Sequence, residues 1–297
     1  MMARALICVI FFAFFALLYP RLVVSDLKSV EEQAVDIPLP SVNTKEMSKD
    51  AQKMLTEDDK VMRFLEECYK SYPQVVTTGY KTILTKREWV DGQGTKPNPQ
   101  EVIEVDFREK PFSVFLEWKK GFYRARRSLY VEGQNLDPRT KKSMMWTRTY
   151  NKWSWLELKL QLAVDSELVK ASGRYTIDKF GVQWGLKRVL RTWRQRHKEG
   201  NLNAKFDKTV KLAEVGNRPC YRIYRKIPSD RPEEDGILEV ILYVDVERKL
   251  QVGTILKGIR GNKTDALIGQ YFFNIVELNP TYEEDDPRFS VARITTN

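Results

Sequence analysis

Few residues in this sequence are of the types that carry the common forms of catalysis. Its 297 residues include a single histidine, His197, and three cysteines. Most zinc sites need clustered His and Cys ligands, so this composition excludes them. It also excludes a Ser-His-Asp triad unless His197 serves it. His197 stands between Arg196 and Lys198 near the end of a basic segment, where solvation or interaction with a helix dipole is the simplest expectation.

The acidic residues offer no better case for chemistry. The run Glu283–Asp286 lacks the alternating ligands and the glycine of an EF-hand loop, which favours a solvated acidic turn over a calcium site. No pair of carboxylates is distinguished as an acid and a base, and the sequence has no phosphate loop or dinucleotide fingerprint. We therefore predict that the chain is not an enzyme, with no catalytic residue, no metal and no cofactor.

Apolar residues at alternating positions form a second set of candidates. Such alternation is typical of strands with one buried face. A curled sheet with an apolar face either packs full or encloses a ligand cavity, so these residues are either ordinary core or the lining of a binding site. The ligand-binding candidates are Ile103, Val105, Phe107, Val114, Leu116 and Trp118 on strands, Trp146 and Trp155 as additions, and Trp184 and Trp193 on a helix.

One helix and a series of strands are predicted to position these residues. Thr56, with Asp59 three residues later, approximates a capping box, and apolar residues follow at helical spacing until Pro73 ends the helix. The period then changes to two, and about ten strand-like runs predict an antiparallel meander. The runs are 76–84, 103–107, 112–118, 123–131, 144–150, 153–160, 206–215, 221–227, 238–244, 250–256 and 267–278.

The N-terminal segment is typical of an export signal. Arg4 provides a basic start, and Ala5–Tyr19 is almost wholly apolar, which is short for a membrane span and typical of a signal peptide. Cleavage after Ser25 gives a signal peptide of residues 1–25; an uncleaved anchor is the alternative. Residues 26–55 have few large apolar groups and are predicted to be a flexible linker. We expect a periplasmic or secreted protein.

Export leaves two states open for the cysteines. Cleavage removes Cys8 and keeps Cys68 and Cys220. An oxidising compartment permits a disulfide between them, but the sequence does not give their distance. A disulfide and two buried free thiols are both compatible with the sequence.

A basic helix is predicted over Asp178–Lys198. Its apolar residues, including Phe180, Trp184 and Trp193, need a partner because an isolated helix of this length is marginal in water, and the uncovered side of the sheet would provide one. Its other side is basic, in a chain of net charge +10. That side is either a solvated face or a contact for anionic lipid headgroups; export argues against nucleic acid. The membrane-surface candidates are Lys187, Arg188, Arg191 and Arg194.

Three stretches of the sequence resemble the LolA-type lipoprotein carriers. The first is Tyr69–Pro73 followed by Val75–Lys86. The second is the hairpin Glu101–Trp118, and the third is Leu242–Val252 closing on Phe273–Phe289. Within that superfamily, the chain is similar to an exported bacterial family of unknown function.

The resemblance covers roughly residues 57–290 and implies a mainly β (α+β) fold. This fold is an open antiparallel β half-barrel of about ten strands, covered by helices, whose concave face holds acyl chains. One domain would span residues 56–290 and be followed by a C-terminal tail, 291–297. The long basic helix and the longer chain depart from the carrier pattern.

Together these features predict non-catalytic binding or carriage of a lipid, a lipoprotein or another apolar ligand in the bacterial cell envelope. The expected partners are an apolar ligand, such as an acyl chain or a lipoprotein, and transiently an anionic membrane surface; nucleic acid is not expected. The alternative is an envelope protein-interaction or signalling module with a filled barrel. A hydrolase is a third class, for which the sequence has no motif.

Overall fold

Twelve strands make up most of the regular secondary structure of the described residues. The computed structural model describes residues 30–41, 55–89, 97–121, 125–150 and 157–295, so the predicted signal peptide lies outside the described residues. The strands are β1 (Glu32–Ala34), β2 (Gly79–Glu88), β3 (Glu101–Arg108), β4 (Ser113–Lys120), β5 (Ala125–Val131), β6 (Met144–Thr149), β7 (Lys159–Ala163), β8 (Ala204–Leu212), β9 (Arg218–Lys226), β10 (Ile237–Asp245), β11 (Gln251–Arg260) and β12 (Lys263–Leu278).

The strands form one open antiparallel sheet. Their order across it is β1-β8-β9-β10-β11-β12-β2-β3-β4-β5-β6-β7, and every neighbouring pair is antiparallel. β1 and β7 lie at the two ends, so the sheet is not closed into a barrel. The predicted fold class, a mainly β open sheet covered by helices, is confirmed, with twelve strands in place of about ten.

Among the described residues, four α-helices accompany the sheet: α1 (Glu57–Val75), α2 (Glu167–Lys170), α3 (Val182–Lys198) and α4 (Ala292–Thr295). The predicted capping box of α1 is present, since the Asp59 N–H donates to Thr56 Oγ1 at 3.1 Å and the Thr56 N–H donates to the Asp59 carboxylate at 2.9 Å. Pro73 lies inside α1 instead of ending it. In the last turn a proline costs little, because the backbone bond that it removes lies next to the helix end.

The predicted basic helix begins four residues later than expected. Ile177–Lys179 forms a short 3₁₀ turn, and α3 starts only at Val182. Gly181 separates the two with a φ of 108°, and a Cβ at this position would lie 2.7 Å from the Tyr80 hydroxyl oxygen. The close approach to β2 therefore bends the chain here, which local helical spacing does not reveal.

Two terminal segments are more ordered than their composition predicts. β1 lies inside the predicted linker 26–55 and pairs with β8, where the Val35 N–H donates to the Thr209 carbonyl at 3.1 Å. Ile294 of α4 lies inside the predicted tail 291–297 and is fully buried. In both cases the partner is distant in sequence, so a local lack of apolar residues does not exclude order.

α1 and α3 pack on one face of the sheet, which we call the inner face. Their residues Leu65, Leu190 and Trp193 form a buried cluster with Ile223 of β9 and Leu242 of β10. Residues directly opposite on neighbouring strands share a face, so the register extends the inner face across the sheet. One row of it consists of Ile223, Leu242, Thr254, Tyr271, Lys86 and Glu101.

The inner face has two halves with different covers. α1 and α3 cover mainly β8 to β11, which we call the helix-covered half. Over β12, β2 and β3 the chain between Gly173 and Gly181, which we call the strap, crosses the face. We call strands β2 to β6, together with the strap, the strap-covered half. On the opposite, outer face, Phe289 and Ile294 pack against β4 and β5.

Candidate ligand-binding site

The strap-covered half carries three rows of inward-facing residues on β2, β3 and β4. Read from β2 to β4, the rows are Leu84, Ile103 and Trp118; Thr82, Val105 and Leu116; and Tyr80, Phe107 and Val114. The structure thus brings together on one face the candidates predicted on these strands. All of them are buried except Trp118, which is half-buried and packs against the same cluster.

The inner face becomes partly polar towards β5 and β6. Leu116 lies opposite Ser128, which lies opposite Thr147, and the two hydroxyl oxygens are 2.5 Å apart. Thr82 is only 2% exposed, yet its hydroxyl has no hydrogen-bond partner among the described residues. Buried hydroxyls in a packed core are normally paired, so this position favours an interior that receives a further group.

The strap covers the rows with few side chains. Phe180 places its ring between Phe107 and Phe273, at centroid distances of 6.2 and 5.8 Å. Ile177 is buried in the same cluster, whereas Tyr175 is 40% exposed and its ring packs at a tilted angle against Tyr271. Apart from the short turn at Ile177–Lys179, the strap has no regular secondary structure.

Both ends of the strap are attached to β2. At one end the Arg174 N–H donates to Glu88 Oε2 at 3.4 Å. At the other end the Val182 N–H donates to the Tyr80 hydroxyl oxygen at 3.2 Å. The strap is therefore tied to β2 by two single hydrogen bonds, and aromatic contacts of Phe180 lie between them. Two arginine side chains hold it further: Arg174 pairs with Asp235 at 2.6 Å, and Arg188 of α3 lies over the Tyr175 ring.

A buried charged network lies on the inner face beside the apolar rows. Lys86 Nζ lies 2.7 Å from Glu88 Oε1 and 3.0 Å from Glu101 Oε2. The Tyr271 hydroxyl donates to Glu88 Oε2 at 2.7 Å. Leu84 and Ile103 are each two residues from this network along their own strands, so polar and apolar surfaces meet there.

The surroundings of Lys86 and Glu88 favour the charged forms of these two groups. Burial acts to lower the pKa of Lys86, but Glu88 and Glu101 outweigh it and raise that pKa above its ordinary value. Burial acts to raise the pKa of Glu88, but Lys86 and the hydrogen bonds from Tyr271 and Arg174 outweigh it and lower that pKa. Burial raises the pKa of Tyr271, which stays a neutral donor.

Three of the remaining tryptophan candidates, Trp146, Trp184 and Trp193, do not join the rows. Trp146 lies opposite Leu129 and packs with the outer-face cluster. Trp193 is 2% exposed in the core of the helix-covered half. Trp184 is half-buried on α3, with Lys187 Nζ 4.2 Å from its ring centroid. Trp155 lies outside the described residues.

The basic candidates of α3 differ in their surroundings. Lys187 and Arg191 are exposed. Arg188 lies 3.8 Å from the ring centroid of Tyr175 and donates to the Lys179 carbonyl, so it fastens the strap to α3. Arg194 Nε lies 3.1 Å from Glu66 of α1. Only part of the predicted basic surface is thus open to an external anion.

The histidine and the cysteines have structural surroundings. His197 Nε2 lies 2.9 Å from Asp59 Oδ1, which joins the end of α3 to the start of α1. Cys68 and Cys220 are free, buried thiols, and burial raises the pKa of Cys68 to about 12. Cys68 belongs to the inner-face cluster, whereas Cys220 faces the other way from its neighbour Tyr221, so the sheet separates them.

Sequence reasoning missed the strap and the charged network. Phe180 was expected on a helix, and Lys86 and Glu88 were not singled out, because charged residues in an alternating strand normally mark its solvent face. The sequence did contain one signal for the inward position of Lys86 and Glu88. They occupy the same alternating positions of β2 as Leu84 and Thr82, so they lie on the same face as these residues. Only the register shows which parity is buried.

The family of proteins of unknown function called DUF1571 matches residues 77–292, from just before β2 to the start of α4. The chain belongs to the DUF1571 family. This confirms the predicted membership of a family of unknown function. No curated protein matches the sequence of this DUF1571 member.

Several solved structures are similar to this DUF1571 protein at low sequence identity. The lipoprotein LppX of Mycobacterium tuberculosis is 10% identical, covers 75% of this chain and 98% of its own, and gives a TM-score of 0.38. A DUF1329 family protein from Desulfovibrio piger is 9% identical, with coverages of 78% and 98% and a TM-score of 0.37. A LolA superfamily protein from Nitrosomonas europaea is 6% identical, with coverages of 75% and 96% and a TM-score of 0.23.

Proposed function

We propose that this protein binds a lipid, an acyl chain or another apolar ligand in the cell envelope, without catalysis. The observation that carries the proposal is the cover of the strap-covered half. Its apolar rows are closed by one largely irregular segment, which two hydrogen bonds attach to β2 and which the side chains of Arg174 and Arg188 hold at its margin. Such a cover can be displaced at lower cost than a pair of packed helices, because local opening costs least where few contacts hold a segment.

Two further observations support this proposal. Trp118 ends the first row and is half-buried, so the rows reach the surface at an aromatic residue. The unpaired hydroxyl of Thr82 lies within the second row. A ligand pocket combines such an apolar lining with a few polar groups.

The experiment that tests the proposal has two parts. Native mass spectrometry of the purified chain should show a co-purifying lipid. Trp118→Ala should then weaken binding of an uncharged fluorescent probe such as Nile red by about tenfold, since the variant loses a large apolar contact worth more than 1 kcal/mol. Trp184→Ala is the matched control, because Trp184 is also half-buried but lies outside the rows.

A filled interior is the second candidate, and it would make the domain an interaction or signalling module. The near-complete burial of the row residues favours it. In that case the wild type would bind no probe, and Trp118→Ala would lower the melting temperature without any binding to lose. This outcome would replace the first proposal.

We also propose transient contact with an anionic membrane surface through the exposed residues Lys187 and Arg191. The described residues contain no helix that is long and apolar enough to cross a membrane. Each basic residue near an anionic surface contributes about 1 kcal/mol, and the attraction weakens with salt.

Replacing both Lys187 and Arg191 with Gln should reduce binding to phosphatidylserine-containing vesicles by about thirtyfold at low salt, the effect of about 2 kcal/mol. A double Gln variant at Lys205 and Lys211, which are exposed on β8, is the control of equal charge. Equal losses in the two variants would indicate general charge attraction and contradict a specific contact by α3.

A further inference from the structure

The charged network marks the place where a ligand in the apolar rows would present its polar end. On β2, Lys86 follows Leu84 by two residues, and on β3, Glu101 precedes Ile103 by two residues. All four residues lie on the inner face. Two residues of a strand span roughly 7 Å. A chain that crosses the three rows in the direction of β2 and β3 therefore has one end beside Lys86 and Glu101, the next inward-facing pair after Leu84 and Ile103.

The network still has one donor and one acceptor to offer. An ammonium group has three N–H donors, and among the described residues Lys86 directs two of them to Glu88 and Glu101. Glu101 binds Lys86 through Oε2, so Oε1 remains as an acceptor. Both oxygens of Glu88 are engaged, one by Lys86 and the other by Tyr271 and Arg174.

The charges around this point favour an uncharged group. Lys86, Arg174 and Arg188, whose guanidinium lies over Tyr175 next to Tyr271, supply three positive charges. Glu88, Glu101 and Asp235, which is 2.6 Å from Arg174, supply three negative ones. A carboxylate or phosphate is only an acceptor and would face Glu88 and Glu101. An ammonium group is only a donor and would face Lys86. A hydroxyl or an amide both donates and accepts.

We infer that this protein selects an amphiphile whose head is uncharged and carries a hydroxyl or an amide, held between Lys86 Nζ and Glu101 Oε1. The inference rests on the proposed function and adds the class of ligand. It also assigns a use to a buried ionic cluster, which by itself is weak evidence for stability because of the cost of desolvation.

The test compares four ligands of equal chain length on the full chain: dodecanol, dodecanamide, dodecanoate and dodecylamine, each measured by displacement of Nile red at neutral pH. The alcohol and the amide should bind about tenfold or more tightly than the two ions, the effect of one unfavourable charge contact. A wild type that binds dodecanoate or dodecylamine as tightly as dodecanol overturns the inference. If Nile red itself does not bind, the proposed function fails instead.

Glu101→Gln sharpens the test. It removes one negative charge beside Lys86, so the preference for dodecanol over dodecanoate should shrink to about threefold or less. Glu104→Gln is the matched control, because Glu104 lies on the other face of β3 and is exposed. An unchanged preference in folded Glu101→Gln contradicts the inference, and if this variant does not fold, the comparison of ligands on the wild type decides alone.

Discussion

The helix-covered and strap-covered halves of the inner face are built from the same alternation of apolar residues, yet they are closed differently. In the helix-covered half, α1 and α3 contribute Leu65, Leu190 and Trp193, all at most 2% exposed. In the strap-covered half, the cover contributes mainly Phe180 and Ile177. The comparison shows that an apolar strand face does not by itself define a permanent core; the element that covers it decides how easily the face is uncovered.

Both halves contain buried ionic groups. In the helix-covered half, Arg194 and Glu66 form a partly exposed pair at the rim, whereas Arg225, whose side chain is 2% exposed near Trp193, pairs with Glu233 at 2.8 Å. In the strap-covered half Lys86 and Glu88 lie inside, with side chains 15% and 4% exposed, next to the apolar rows. Burying charges costs several kcal/mol per ion before pairing offsets it. Stability therefore explains the rim pair more easily than the buried ones.

The largest effect is expected from Trp193→Ala. Trp193 is 2% exposed between α3 and the sheet, so truncation leaves a cavity and should lower the free energy of unfolding by about 3–5 kcal/mol. Chemical denaturation measures the loss. Trp184→Ala, on the same helix but half-buried, should cost less than about 1 kcal/mol. A stable Trp193→Ala variant with impaired ligand binding would show instead that the helix-covered half takes part in the site.

An intermediate effect is expected from Phe180→Ala. The Phe180 ring lies between Phe107 and Phe273 over the apolar rows, so its removal should cost about 1–2 kcal/mol of stability and should strengthen Nile red binding by about threefold or more. Denaturation and fluorescence titration measure the two changes.

Phe112→Ala is the matched control for the strap. Phe112 also contacts Phe107, at 5.3 Å, but it lies in the turn between β3 and β4. The Phe112→Ala variant should have a lower free energy of unfolding but should not bind Nile red more strongly than the wild type. Weaker binding in Phe180→Ala would mean that Phe180 is itself a ligand contact and that the strap does not compete with the ligand.

The smallest effect is expected from Asp59→Ala. Hydrogen bonds from Thr56, with a contribution from His197, hold the pKa of Asp59 below its ordinary value of 3.8. A lowered carboxyl pKa stabilises the fold above the unfolded pKa, and the contribution is lost as pH falls through the folded value. At pH 7 the free energy of unfolding of the variant should be lower by about 1 kcal/mol, the usual contribution of a helix cap. In acid, the difference in stability between the variant and the wild type should disappear.

Ligand binding should be unchanged in Asp59→Ala, because Asp59 lies at the rim of the helix-covered half. Glu67→Ala, at an exposed position of α1, is the control and should be nearly neutral. If the stability difference between Asp59→Ala and the wild type persisted below the pKa of Asp59 in the folded protein, the carboxylate charge would not be what stabilises the start of this helix.

The fold was predictable where the signal is local. The capping box of Thr56 and Asp59 and the two-residue period of β2 to β6 are written in adjacent residues, and these elements form as expected. β1, the late start of α3 and the burial of Ile294 depend on partners that are distant in sequence. Spacing along the chain carries no information about such partners.

The candidate site was predictable to the same extent. Alternation groups Val105 with Phe107 without any knowledge of the register. It does not give the parity of Trp146, because the long connection 132–143 separates β5 from β6, and the spacing does not show which residue of β6 lies opposite Leu129. Spacing also does not tell whether Trp193 contacts a ligand or belongs to the core, since an aromatic residue at helical spacing suits either role. The strand pairing was needed to show that Lys86 and Glu101 lie on the inner face.

The short strands at the ends of the sheet have a consequence for solubility. An open sheet exposes unpaired N–H and C=O groups along each edge, and another chain can use such an edge as a template for aggregation. Here β1 offers only Glu32–Ala34, and β7 offers five residues with Lys159 and Gln161 exposed. An incoming strand would gain few hydrogen bonds at either edge and would meet charge or polar side chains at β7. Twelve strands can therefore stay open at both ends without joining those of a neighbouring molecule.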